Sequence, residues 1–129
     1  MGQKYLIDSN VLIDYMGNLI PTKGSDFVEN LFNTQFLISV VTKIEVLGYN
    51  DLPHKLSAMR HFVSLSEILP LNESVTEKTI ELKRTFRKMK LGDAIIAATA
   101  IDKNLTLITR NTADFKFMPE LTVLNPYEI

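Results

Sequence analysis

Two rhythms of hydrophobic residues run along this chain. Tyr5–Ile7 and residues 36–41, 105–109 and 121–124 are short apolar runs, the second broken only by Ser39, and they read as buried strands. Glu67–Leu69 reads as a further short strand. Between them the apolar residues recur at helical spacing. Val11, Leu12, Ile13 and Tyr15 predict a helix over 10–16, which Gly17-Asn18 ends. Residues 21–24 predict a turn, and Phe27, Val28, Leu31 and Phe32 a helix over 25–33. Thr42 opens another helix, and Asp51-Leu52-Pro53 starts one carrying Leu56, Met59 and Val63. Val75, Thr79, Leu82, Phe86 and Met89 form a stripe that predicts one long helix over 72–90. Gly92 interrupts it, and an alanine-rich helix follows over 93–103, with a helical turn at 112–115. Strands alternating with helices predict an α/β fold, a three-layer sandwich with a central five-stranded parallel sheet flanked by helices.

The length, 129 residues, suits a single domain over 1–129 with a real core. With 46% hydrophobic and 22% charged residues, the composition is that of an ordinary soluble protein. No apolar run approaches the roughly 18 residues of a membrane span, and no signal peptide opens the chain. There is no cysteine, which excludes disulfides, thiolate zinc sites and cysteine nucleophiles and fits a cytoplasmic protein. The net charge of −1 does not steer the chain towards nucleic acid, so charge placement matters more than charge total.

Four acids stand where such a sheet binds ligands, at the carboxyl ends of strands. Asp8 follows the first strand, Glu45 lies one helical turn beyond the second, Asp114 follows the fourth, and Asp93 opens the alanine-rich helix. Each also has an ordinary explanation. Asp8 and Asp93 are good helix caps. Glu45 completes a Thr-x-x-Glu capping box with Thr42. Asn111 can cap the turn that Asp114 then supports. Parallel strands bring Asp8, Glu45 and Asp114 to one edge, and Asp93 joins them if the preceding helix returns there. Clustered carboxylates repel one another unless a counter-charge is present. A hard divalent cation with oxygen ligands, magnesium or manganese, supplies it, and such sites hydrolyse phosphodiesters.

Asp8-Ser9-Asn10-Val11-Leu12-Ile13, Glu45, Asp93-Ala94-Ile95-Ile96-Ala97-Ala98-Thr99-Ala100 and Thr109-Arg110-Asn111-x-x-Asp114-Phe115 resemble the motifs of the PIN-domain family. More closely, they resemble the VapC toxins of bacterial toxin–antitoxin pairs, over essentially the whole chain. The resemblance implies a magnesium-dependent endoribonuclease and a homodimer. It also implies inhibition by a cognate antitoxin, with operator DNA reached only through that antitoxin. It makes Asp8, Glu45, Asp93 and Asp114 the catalytic and metal-holding quartet, with Ser9, Asn10, Thr109 and Asn111 around it fixing carboxylate orientation. One departure stands out: some relatives carry a further acid just before the third motif, where this chain has Lys88-Met89-Lys90.

Lys83, Arg84, Arg87, Lys88 and Lys90 form a basic cluster before Asp93, with Lys83, Arg87 and Lys90 on one predicted helix face. It reads either as a solvated face or as a phosphate track for RNA, and Arg110 is a further RNA-binding candidate. His54 and His61 share a helix without an acid at metal spacing. Two other functions are consistent with a small α/β chain. A phosphate-accepting receiver needs paired acids after the first strand, but Ser9 follows Asp8. A PIN fold that binds RNA or protein without cleaving it is the alternative that the four acids oppose.

Overall fold

In the computed structural model, which describes residues 4–129, five short strands form a single parallel sheet. They are β1 (Tyr5–Ile7), β2 (Leu37–Ser39), β3 (Glu67–Leu69), β4 (Thr106–Ile108) and β5 (Thr122–Leu124). Their order across the sheet is β3-β2-β1-β4-β5. Parallel neighbours need crossovers rather than hairpins. Each of the first three crossovers carries two helices: α1 (Ser9–Met16) and α2 (Thr22–Phe32), then α3 (Val40–Leu47) and α4 (Pro53–Ser64), then α5 (Glu73–Thr85) and α6 (Leu91–Asp102). The last carries only a 3-10 turn, Thr112–Asp114, and a second such turn, Pro126–Glu128, ends the chain. This is the expected three-layer α/β architecture. Among the described residues no helix is long and apolar enough to cross a membrane.

The pleat sorts the core into two layers. Leu6 is in register with Leu37 on one side and Leu107 on the other, and these three face α5 and α6. Ile7, Ile38 and Ile108 point to the opposite face, where Val11, Leu12, Val28, Val46, Met59 and Val63 cover them. Residues 94–100 of α6 are buried without a break. A helix buried all round needs small side chains to fit between a sheet and another helix, and Ala94, Ala97, Ala98 and Ala100 supply them.

Four predicted boundaries move, each for a local reason. Residues 21–24 are not a turn: α2 already begins at Thr22, with Pro21 at the cap position. Gly24 lies inside this helix and is needed there for space, not for a turn: a Cβ would lie 1.7 Å from the Pro126 carbonyl oxygen, so a bare backbone lets the C-terminal turn dock. Helix α3 starts at Val40, not Thr42, because Ser39 caps it, its Oγ accepting from Val41 N at 3.1 Å. Helix α5 stops at Thr85, not 90, since Phe86 leaves helical geometry (φ −119°, ψ 76°). The apolar stripe misled there because Phe86 and Met89 reach the same core from a loop. Helix α6 starts at Leu91, so Gly92 lies within its first turn rather than before it.

Candidate active site

From β1 the chain moves outward through β2 and β3, then returns to the other flank of β1 as β4. The reversal opens a crevice between β1 and β4 at their carboxyl ends, the place where open α/β sheets bind ligands. Two residues continue the sheet past its strands at that point. Asp8 N donates to Ile108 O at 2.9 Å, and Thr109 N donates to Leu124 O at 3.1 Å. Asp8 and Thr109 therefore emerge side by side.

Both oxygens of Asp8 are held. Its Oδ1 accepts from Ser9 N at 2.8 Å, so Asp8 does cap α1. Its Oδ2 accepts from the Thr109 hydroxyl at 2.8 Å, and that hydroxyl oxygen accepts from Asn111 N at 3.1 Å. Asp8 is 5% exposed. Burial pushes its carboxyl above the usual range; the bonds from Thr109 and Ser9 oppose this, and the charges of Asp93 and Glu45 add to it.

Glu45 lies on the exposed side of α3 and does not form the capping box that its spacing suggested. Ser39 occupies the cap, while Thr42 is wholly buried and its Oγ1 has no partner among the described residues. Glu45 reaches across instead, its Oε1 accepting from the Ser9 hydroxyl at 2.5 Å. A Cβ built on Gly92 would stand 3.9 Å from Glu45 Oε2, which places Glu45 against the turn of α6 that carries Asp93.

Asp93 is half-buried in that first turn, and Lys90, not Asp93, is at the cap position. Burial raises its carboxyl, Asp114 adds to the rise, Lys90 opposes it and Glu45 adds a little more. Asp114 is exposed at the end of its 3-10 turn, and the Asn111 side chain makes no capping bond there. The crossover through α5 thus does return Asp93 to the edge of Asp8. Asp93 and Glu45 raise the Asp8 carboxyl, and Asp114 and Glu45 raise that of Asp93.

Among the described residues no three His, Asp or Glu side chains are disposed to hold a metal ion as they stand. The donor chemistry fits a hard divalent cation: carboxylates raise one another's proton affinity, and two residues after Asp8 in the chain the Asn10 Oδ1 is buried without a partner among the described residues.

The basic residues are arranged differently from the helical face predicted. Arg87, Lys88 and Lys90 are exposed on the loop between α5 and α6. Lys83 turns inward, its Nζ donating to Met89 O at 2.5 Å. Arg110 is half exposed and already engaged: its guanidinium donates to Asp14 Oδ2 at 2.9 Å and stands 5.9 Å over the Tyr127 ring. The Tyr127 hydroxyl donates to the same Asp14 oxygen. Burial and Asp14 both push the Tyr127 phenol up. Sequence reading passed over Asp14, which is 6% exposed. The available signal was an acid set inside the apolar run of α1, with an Arg and a Tyr elsewhere to match it.

Comparison with known proteins speaks to the family and the fold. The model of the PIN domain matches residues 5–120. A protein of Rickettsia bellii named Ribonuclease VapC is 30% identical over 125 residues, spanning 92% of this chain and 93% of its own. A toxin–antitoxin complex from Klebsiella pneumoniae contains a chain that superposes with a TM-score of 0.79 at 33% identity, covering 98% of this chain and 100% of its own. VapBC2 from Rickettsia felis, solved bound to a DNA fragment from its promoter, superposes at 0.81 with 23% identity over 95% of this chain and 98% of its own, and speaks for the fold alone.

Proposed function

Since this chain belongs to the PIN-domain family, we propose that it is a metal-dependent endoribonuclease, the toxin of a toxin–antitoxin pair, which hydrolyses phosphodiester bonds in RNA and so inhibits translation and growth. One observation carries the reading: acids far apart in sequence converge, Glu45 and Asp93 raising the buried Asp8 carboxyl and Asp114 and Glu45 raising that of Asp93. Such a cluster favours a cation, and magnesium is the one we assign, with manganese as its substitute. Asp8, Glu45, Asp93 and Asp114 would hold it. When bound, such an ion polarises a phosphoryl oxygen and makes a nucleophile of water near neutral pH.

The chain's own side chains prepare that edge. Thr109 and the Ser9 amide hold the two oxygens of Asp8 so that the carboxylate cannot rotate. The Ser9 hydroxyl steers Glu45 towards α6. Asn10 and Asn111 complete the polar surround, the latter through its backbone amide on Thr109. Arg87, Lys88 and Lys90 form a cationic approach for phosphates, which makes binding salt-dependent. Accessible single strands and loops are the favoured substrate, because unpaired bases can be splayed and read.

We assign the chain to the cytoplasm, as a homodimer controlled by an antitoxin that alone touches operator DNA. A cavity of about 320 Å³ between α1, α3 and α4, lined by Ile13, Leu19, Val46, Tyr49 and Met59 among others, supports an apolar partner segment. Incubating the purified chain with single-stranded RNA tests the reading. Magnesium should give cleavage that a chelator stops and that manganese or magnesium restores. RNA that is bound but stays whole in magnesium would point instead to a PIN fold that binds without cutting.

A further inference from the structure

The segments that lead into Asp93 and out of Asp114 together carry an aromatic pair that the chemistry above leaves unused. Phe86 follows α5 and Phe117 follows the turn Thr112–Asp114, and their ring centroids lie 4.8 Å apart at 65°, edge to face. Phe86 is packed against the core, whereas Phe117 is 48% exposed. Its neighbours Phe115 and Met118 are buried, so this stretch sends them inward and Phe117 outward.

Both rings ride on hydrogen-bonded backbone. Phe86 N donates to Leu82 O at 2.8 Å and Met89 N to Phe86 O at 3.0 Å. Lys116 N donates to Thr112 O at 2.8 Å and Met118 N to Phe115 O at 3.1 Å. A ring presented this way loses little freedom on contact with a partner.

Charge says what kind of partner fits. Arg87 and Lys88 follow Phe86, and Lys116 precedes Phe117; all three are exposed and have no ion-pair partner among the described residues. Asp114, three residues before Phe117, is one of the acids felt by Asp93, and Lys90 is felt there too. A second copy meeting this patch across a two-fold axis would set like charges against like. A polyanion with flat, apolar bases satisfies both the ring and the cations.

Resting on the ribonuclease reading, we propose that Phe117, braced by Phe86, is a stacking platform for an unpaired nucleobase next to the phosphate that a cation bound at the acids would hold, with Arg87, Lys88 and Lys116 drawing in the flanking phosphates. Phe117 is a binding residue and takes no part in bond breaking. A base inside a duplex already stacks on its neighbours and cannot use the platform, so preference for single strands and loops follows.

The test uses the full chain carrying Asp8→Asn, titrated with a single-stranded RNA oligonucleotide that contains a fluorescent purine analogue. Phe117→Ala should weaken binding about 5- to 150-fold and remove the fluorescence change on binding. Phe117→Trp should keep tight binding and the fluorescence change. Phe117→Leu, apolar but without a ring, should behave like the alanine variant. Unchanged binding by Phe117→Ala, or parental binding by Phe117→Leu, overturns the platform. So does a loss of dimer in sedimentation on Phe117→Ala, which would make this face a contact between copies. Magnesium-dependent cleavage by the unmodified chain is scored separately. If it is absent the ribonuclease reading fails; if it is present while Phe117→Ala binds normally, only the platform fails.

Discussion

Thr109 is buried, and its single hydroxyl joins two parts of the site: it donates to Asp8 Oδ2 and accepts from Asn111 N. Removing it leaves a buried carboxylate oxygen and a backbone amide short of a partner. Thr109→Val keeps the shape and loses both bonds, so it should cost about 1–3 kcal/mol of stability in denaturant unfolding. Cleavage should fall about 10- to 100-fold, as when the support of a metal ligand is lost. Thr109→Ser keeps the hydroxyl and should retain most of both. A valine variant that cuts at the normal rate would show that Asp8 needs no such support. Asp14, Arg110 and Tyr127 do comparable work nearby, fastening the C-terminal turn to α1 and to the residue after Thr109.

Helix α2 and the final 3-10 turn meet at Gly24. Alanine is intrinsically better than glycine inside a helix by about 0.5–1 kcal/mol. Gly24→Ala should nevertheless destabilise the protein by about 1–3 kcal/mol in thermal unfolding, because its Cβ would overlap the Pro126 carbonyl. A gain in stability would mean that the turn is not docked there. The same contact shows where sequence reading ran out. Strands and the acids after them were legible because they depend on local runs: Asp8 after Tyr5–Ile7, Asp114 after the strand at Thr106–Ile108. The start of α2, the end of α5 and the target of Glu45 depend on residues far along the chain. Pro21 and Gly24 look like a turn unless Pro126 is known to lie against them. Phe86 and Met89 continue a helical stripe unless the loop that buries them is known. Thr42 and Glu45 match a capping box unless Ser39 is seen to hold the cap. The return of Asp93 to the edge of Asp8 is likewise a property of the whole crossover, which no spacing within it reveals.

Taken as one body, the molecule gathers acids that are hard to ionise together. Burial is the chief cause of the raised carboxyls of Asp8 and Asp93, and like charge adds to it. A carboxyl raised in the folded state contributes stability that is fully present below its unfolded pKa and lost as pH rises through the folded one. Without metal, then, these two groups weaken the fold as pH climbs above the ordinary carboxylate range. A divalent cation binds the ionised form and reverses that loss. Magnesium should therefore raise the melting temperature near neutral pH and raise it less at about pH 4–5, where protons compete. A magnesium effect that is equal at both, or unchanged in Asp8→Asn, would detach the cation from these acids. The most direct measurement maps new RNA ends in cells after brief induction of the unmodified chain and of Asp8→Asn, each checked for folding. Discrete ends should appear with the first and be missing with the second. The same ends from a folded Asp8→Asn protein would contradict a site built on the meeting of these four acids.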